Sequence, residues 1–178
     1  MDKYEIVFAG NGGQGLIVAG ILAGHAATRQ GLYAAQTQSY GISARGGYCR
    51  AEVVLSDNEI IYPQTVAPDI VIALSEKALD RFSGQLKDDA RLIYDSDCIK
   101  CDCGDPHVIG YGLTSLTQNC CGSLQSLNIC ALGVLLACKE IVPVPVMQDT
   151  IVDFFKGKNK EKNLEIFRKG FDLVRHSN

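Results

Sequence analysis

The chain has 178 residues, 47% of them apolar and 21% charged, with a formal net charge of −3. That length suits one domain with a full core, and the proportions are those of a globular protein. They exclude a nucleic-acid footprint: the basic stretch Lys156–Lys162 also holds Glu161 and reads as the solvated start of a helix. No apolar stretch reaches membrane-spanning length without interruption, which argues against a membrane partner. Met1-Asp2-Lys3-Tyr4-Glu5 runs straight into a strand pattern with no signal peptide, so a cytoplasmic location is expected. In such a chain the eight cysteines, Cys49, Cys98, Cys101, Cys103, Cys120, Cys121, Cys130 and Cys138, read as reduced thiols rather than as a disulfide framework.

In chain order, Tyr4–Ala9 is a short apolar run that stops at glycines, as a buried parallel strand does. Residues 16–30 are apolar on nearly all sides and predict a buried helix ended by Gly31. A second strand follows over 32–37, completing a βαβ unit. Residues 38–47 are polar, carry three glycines and read as a loop. Residues 48–55 alternate, Ser56-Asp57-Asn58 is turn chemistry, and 59–62 returns, so a β-hairpin is expected over 48–62. Strands are predicted over 68–74, 91–94 and 107–111. Ser75 is placed to cap a helix reaching about Phe82. Residues 124–140 read as a buried helix, and 142–146, with Pro143 and Pro145, as an extended break. The stripe of Leu164, Phe167, Phe171 and Val174 makes 161–175 an amphipathic helix. The sum is an α/β fold, doubly wound, with a mostly parallel sheet and a β-hairpin insertion, over a single domain 1–178.

Gly10-Asn11-Gly12-Gly13-Gln14-Gly15 follows a strand and opens a helix, the setting of a phosphate-binding turn. Glycines admit close backbone approach, and unpaired N–H groups at the helix start favour an anion. The same glycines could serve only tight strand–helix packing. A nicotinamide site usually has an acid at the end of the second strand. Ala34-Ala35-Gln36-Thr37-Gln38 offers none.

Gln38-Ser39-Tyr40-Gly41-Ile42-Ser43-Ala44-Arg45-Gly46-Gly47 sets one arginine among glycines at what should be the same edge of the sheet, where Arg45 could pair with a phosphate or carboxylate. Together with Glu52, the segment 69–75, Tyr94-Asp95-Ser96, Asn128 and Ala131-Leu132-Gly133, these motifs resemble the gamma subunit of the 2-oxoacid:ferredoxin oxidoreductases over nearly the whole chain. The form of the second motif is most similar to the 2-oxoglutarate branch, with pyruvate, branched-chain and indolepyruvate enzymes as close relatives. The Pro-Glu usual inside that motif is Ile42-Ser43 here.

The resemblance implies a subunit of an enzyme that converts a 2-oxoacid, coenzyme A and oxidised ferredoxin to an acyl-CoA, carbon dioxide and reduced ferredoxin. Thiamine diphosphate, magnesium and iron–sulfur clusters would lie on partner chains: alpha and beta subunits and, in a four-chain form, a ferredoxin-like delta subunit. This chain would assist coenzyme A binding through Gly10, Asn11, Gly12, Gly13, Gln14, Gly15, Ser39, Tyr40, Gly41, Arg45, Gly46, Gly47 and Asn128, and would not be catalytic alone. The residues agree that parts are missing. Cys98-x₂-Cys101-x-Cys103 lacks ferredoxin spacing, and no Ser/His/Asp or Cys/His set can be argued from His25, His107 and His176.

Other readings of single residues stay open. Cys98, Cys101 and Cys103 could join Cys120 or Cys121 around a metal, or act as redox thiols. Asn128 could bond the glycine loops, a partner or nearby backbone. Arg45 could pair with Glu52. A stand-alone nucleotide- or acyl-CoA-binding module is the competing function.

Overall fold

The computed structural model describes residues 3–41, 47–155, 157 and 159–176. Strand β1 (Tyr4–Asn11) runs through the glycine turn into helix α1 (Leu16–Thr28). Then come β2 (Tyr33–Tyr40), β3 (Tyr48–Ser56), β4 (Ile70–Ala73), α2 (Glu76–Phe82), β5 (Arg91–Asp95) and β6 (Val108–Tyr111). Helices α3 (Leu113–Cys121), α4 (Leu127–Cys138), α5 (Val144–Phe154) and α6 (Asn159–Arg175) close the chain.

The six-stranded sheet has the order β2-β3-β1-β4-β5-β6. β1, β4, β5 and β6 are parallel neighbours, and β3 is antiparallel to both β1 and β2, so five of the six strands point one way. Strand alternation divides the apolar residues between two faces. Ile6 and Phe8 of β1, Ala51 and Val53 of β3 and Ile70 and Ile72 of β4 face the large core formed with α1, α4, α5 and α6. Val7, Ala9, Val71, Ala73 and Leu92 face a smaller cluster under α2. The helices therefore lie on both faces, as expected of a doubly wound sheet, but mostly on one.

The hairpin lies elsewhere than the sequence predicts. β3 forms it with the preceding β2, from Tyr33↔Ser56 to Tyr40↔Cys49, and not with residues 59–62. The turn at Ser56-Asp57-Asn58 does form, with Asn58 N–H donating to Ser56 Oγ at 3.0 Å. The returning segment cannot pair because β3 already has β1 on one side and β2 on the other. The same pairing carries β2 three residues beyond its predicted end. The predicted helix over 124–140 begins later, at Leu127, and Gly122 ends a separate α3 before it. The predicted break at 142–146 is instead the start of α5. Pro143 caps it and Pro145 falls in its first turn, where a missing N–H costs nothing. Among the described residues no helix is long and apolar enough to cross a membrane.

Candidate functional site

Register puts the two glycine-rich segments at one edge of the sheet. The end of β1 pairs with the start of β3 (Gly10↔Cys49, Asn11↔Tyr48), and the end of β2 pairs with the same residues (Tyr40↔Cys49). Gly12 N–H donates to Gly47 C=O at 2.9 Å, tying turn to loop directly. In an open sheet the ligand crevice lies where successive connections leave in opposite directions. Here that point is between β1, whose connection leads towards β2, and β4 on its other side.

Gln14 closes that crevice. Its Oε1 accepts from Asn11 N–H at 2.6 Å and its Nε2 donates to Leu74 C=O at 2.9 Å, just past β4. Gly15 caps α1 with φ 73°, a left-handed conformation that side chains resist. Asn128, on the buried α4, donates from Nδ2 to Gly15 C=O at 3.1 Å. This bond goes to the glycine turn and to backbone at once, so it fits both of those readings of Asn128. Gln14 and Asn128 hold the turn's shape, with the first-turn N–H groups of α1 having no intrahelical partner. The N–H groups of Asn11, Gly12 and Gln14 are already engaged, the last with Asn11 C=O at 3.3 Å, so the N–H groups without a helical partner lie at the Gly15–Val18 end.

That end borders a cavity of about 260 Å³ lined by Gly15, Val18, Ser126, Asn128, Lys162 and Asn163, among others. Ser126 donates to Asn163 Oδ1 at 2.6 Å across it. Lys162 and Asn163 come from α6, far along the chain from the turn, and Lys162 belongs to the run that reads in sequence as a solvated helix start. Their only sequence signal is the position of Asn163, a polar residue within the α6 apolar stripe, and it is indeed buried.

Ser39, Tyr40 and Gly41 are exposed, and Gly41 N–H donates to Tyr48 C=O at 2.6 Å. Ile42, Ser43, Ala44, Arg45 and Gly46 lie outside the described residues. Among the described residues the partners of Glu52 are Arg50 at 3.2 Å, Thr37 Oγ1 at 2.9 Å and Thr65 Oγ1 at 2.9 Å. Behind the loop, Tyr48 lies under the cations of Lys77 and Arg81, 5.8 and 5.2 Å from its ring centre, and burial pushes its pKa up. Asp95, at the end of β5, is buried and accepts from the backbone N–H of Leu113 (3.0 Å) and Thr114 (3.3 Å) and from Thr114 Oγ1 (2.6 Å). It caps α3, whose own N-cap residue, Gly112, has no side chain to do so. The described residues contain no group of three or more His, Cys, Asp or Glu that could hold a metal ion, so Cys98, Cys101 and Cys103 are not joined by Cys120 or Cys121 around one.

Sheet order, switch-point turn and helix-start cavity define a doubly wound α/β protein with a glycine-rich turn at its switch point. Residues 5–173 match the sequence model of the Pyruvate ferredoxin/flavodoxin oxidoreductase family, and the chain belongs to that family as a gamma-type subunit of the 2-oxoacid:ferredoxin oxidoreductases. It is 40% identical over 180 residues to the 2-oxoglutarate synthase subunit KorC of Methanothermobacter thermautotrophicus, covering 97% of this chain and 95% of that one. Its fold matches the gamma subunit of a keto/oxoacid ferredoxin oxidoreductase from Geobacter sulfurreducens with a TM-score of 0.88 and 32% identity, over 99% and 98% of the two chains. The 2-oxoglutarate:ferredoxin oxidoreductase of Magnetococcus marinus, with 2-oxoglutarate, coenzyme A and succinyl-CoA bound, also matches at TM-score 0.88, with 26% identity. There the similarity covers 99% of this chain and 32% of that chain.

Proposed function

We propose that this chain, as one gamma-type domain over residues 1–178, serves a 2-oxoglutarate:ferredoxin oxidoreductase. That enzyme converts 2-oxoglutarate, coenzyme A and oxidised ferredoxin to succinyl-CoA, carbon dioxide and reduced ferredoxin. End-to-end similarity to a KorC subunit carries the choice of substrate. Thiamine diphosphate, magnesium and iron–sulfur clusters belong to the alpha and beta chains, and in a four-chain form to a ferredoxin-like delta chain as well. They supply decarboxylation and electron transfer.

This chain's part is to hold coenzyme A. The ligand carries several phosphates. The first-turn N–H groups of α1 suit one of them, Lys162 stands across the cavity from that turn, and Arg45 supplies a guanidinium from the adjoining loop. Gln14 and Asn128 keep the turn preorganised, and Asn128 also lines the cavity. The Magnetococcus enzyme, which holds coenzyme A, contains this fold, and that supports the assignment.

Steady-state kinetics of the reassembled complex tests both parts. With 2-oxoglutarate, pyruvate and 2-oxoisovalerate compared, 2-oxoglutarate should give the highest kcat/KM; a preference for another acid overturns the substrate assignment. Arg45→Ala should raise the KM for coenzyme A about 10-fold, the scale of one charge-assisted hydrogen bond of ~1.5 kcal/mol, with the KM for the 2-oxoacid little changed. An unchanged KM for coenzyme A, or a complex that dissociates, makes Arg45 a packing or interface residue.

A further inference from the structure

β5 and β6 are parallel neighbours, and such a pair is usually joined by a helix. Here residues 96–107 contain no helix. The connection lies on the α2 side of the sheet, anchored by Ile99, which is buried, and by Cys101, which packs against the same apolar cluster. Two residues on, Cys103 is exposed. The two sulfurs are 3.1 Å apart, inside van der Waals contact, with Cys101 Sγ as donor and Cys103 Sγ as acceptor. Cys98 is turned away from them towards Thr114 Oγ1 at 3.5 Å.

We propose that Cys101 and Cys103 form a reversible dithiol–disulfide modification site that reacts with small-molecule disulfides. The backbone already holds the sulfurs in contact, so closure needs a shift of about 1 Å to reach disulfide bonding distance. The roles are unequal. The hydrogen bond from Cys101 stabilises a thiolate on Cys103 and holds its pKa below that of an ordinary thiol, aided by the backbone N–H of Asp105. The same contact, with burial, raises that of Cys101. Cys103 is thus the attacking group, and it is the one solvent reaches.

The reaction balances with the disulfide RSSR as oxidant. The Cys103 thiolate attacks one sulfur of RSSR, forming a Cys103–SR mixed disulfide and releasing RS⁻. Cys101 then gives its proton to solvent, and its sulfur attacks Cys103 Sγ, forming the Cys101–Cys103 bond and releasing the second RS⁻. The protein loses two electrons and two protons, and RSSR becomes two RSH. A disulfide closed over one intervening residue is strained and exposed, the kind that a dithiol reopens readily.

The test uses the full chain equilibrated with oxidised glutathione, alkylated in acid-quenched, denaturing conditions, and then cut on the N-terminal side of aspartate. Cleavage before Asp102 separates Cys101 from Cys103 in the reduced chain. In the oxidised chain the fragments Asp97–Cys101 and Asp102–Gly104 should stay joined until dithiothreitol is added, with the alkyl group on Cys98 and none on Cys101. Cys101→Ser should stop at the glutathione adduct on Cys103, and Cys103→Ser should react at least about 10-fold more slowly than wild type. Fragments that separate without reductant, a bond joining either cysteine to Cys98 instead, or an undiminished rate in Cys103→Ser would overturn the proposal. The fragment readout is made on the wild-type chain and so stands even where a variant folds poorly.

Discussion

At the scale of single residues, side chains that look like ligand contacts mostly hold backbone in place. Asn128 bonds the glycine turn at Gly15 C=O, and Gln14 bonds Asn11 within that turn and Leu74 C=O just past β4. Asp95 does the same for α3. It is a buried carboxylate that answers three donors at a helix start, where charge and helix dipole reinforce each other. Asp95→Ala leaves those N–H groups unpaired in a buried setting. Unfolding of this variant by urea should show a loss of about 2–4 kcal/mol with the slope m unchanged. A loss below about 0.5 kcal/mol would mean that water caps α3 equally well.

Among the elements, the tightest packing is between α4 and α6, and it is made by absent side chains. A Cβ on Gly133 would collide with Phe167 C=O and lie 2.8 Å from Phe171 N, and one on Gly170 would collide with Cys130 C=O. Backbone meets backbone on both sides, so neither collision can be relieved by a rotamer change. Gly133→Ala and Gly170→Ala should each destabilise by roughly 2–3 kcal/mol despite the better helix propensity of alanine. Thermal melts of the two variants at or above the wild-type Tm would show that the helices part freely.

Elements specified by their own residues were legible in the sequence: β1 and β4 as buried apolar runs, α1 by its glycine flanks, α2 by Ser75, whose Oγ accepts from Ala78 N–H, and α6 by its stripe. Elements specified from a distance were not. The cap of α3 comes from Asp95, 18 residues before Leu113. The fate of 59–62 depends on β3 being taken on both edges, and Lys162 reaches the glycine turn only through the α4–α6 crossing. The glycine turn itself was legible, but which of its N–H groups are engaged depends on Gln14 and Gly47.

Over the whole molecule the two faces of the sheet are covered unequally. Helices cover one side throughout. On the other, α2 covers the middle, and the segment after β3 lies over β1 and β3 with no helix. Two sheet carboxylates fasten that segment: Thr65 Oγ1 donates to Glu52 at 2.9 Å, and the N–H groups of Val66 and Ala67 each donate to Glu5 Oε2 at 2.8 Å. The charged groups around Glu5 are Lys3, whose Nζ is 2.5 Å from Oε1, and Asp69, which accepts from Glu5 N–H at 2.7 Å and is itself paired with Lys87. Burial alone would raise the pKa of Glu5, but Lys3 and the two N–H groups outweigh it and hold the pKa below the ordinary value. The sign follows from linkage. With the folded pKa depressed, the unfolded chain binds more protons in the acid range, so stability rises with pH there. The contribution is fully present above the unfolded value, about pH 4.3, and is lost as pH falls through the folded one. Glu5→Gln keeps the shape but removes the charge. It should be less stable than wild type at pH 7, by about 1–2 kcal/mol for weakened charge-assisted bonds, with the difference shrinking below about pH 4. Urea midpoints measured from pH 7 to pH 3 check this. A difference that stays constant across the range would assign the loss to packing and not to the carboxylate charge.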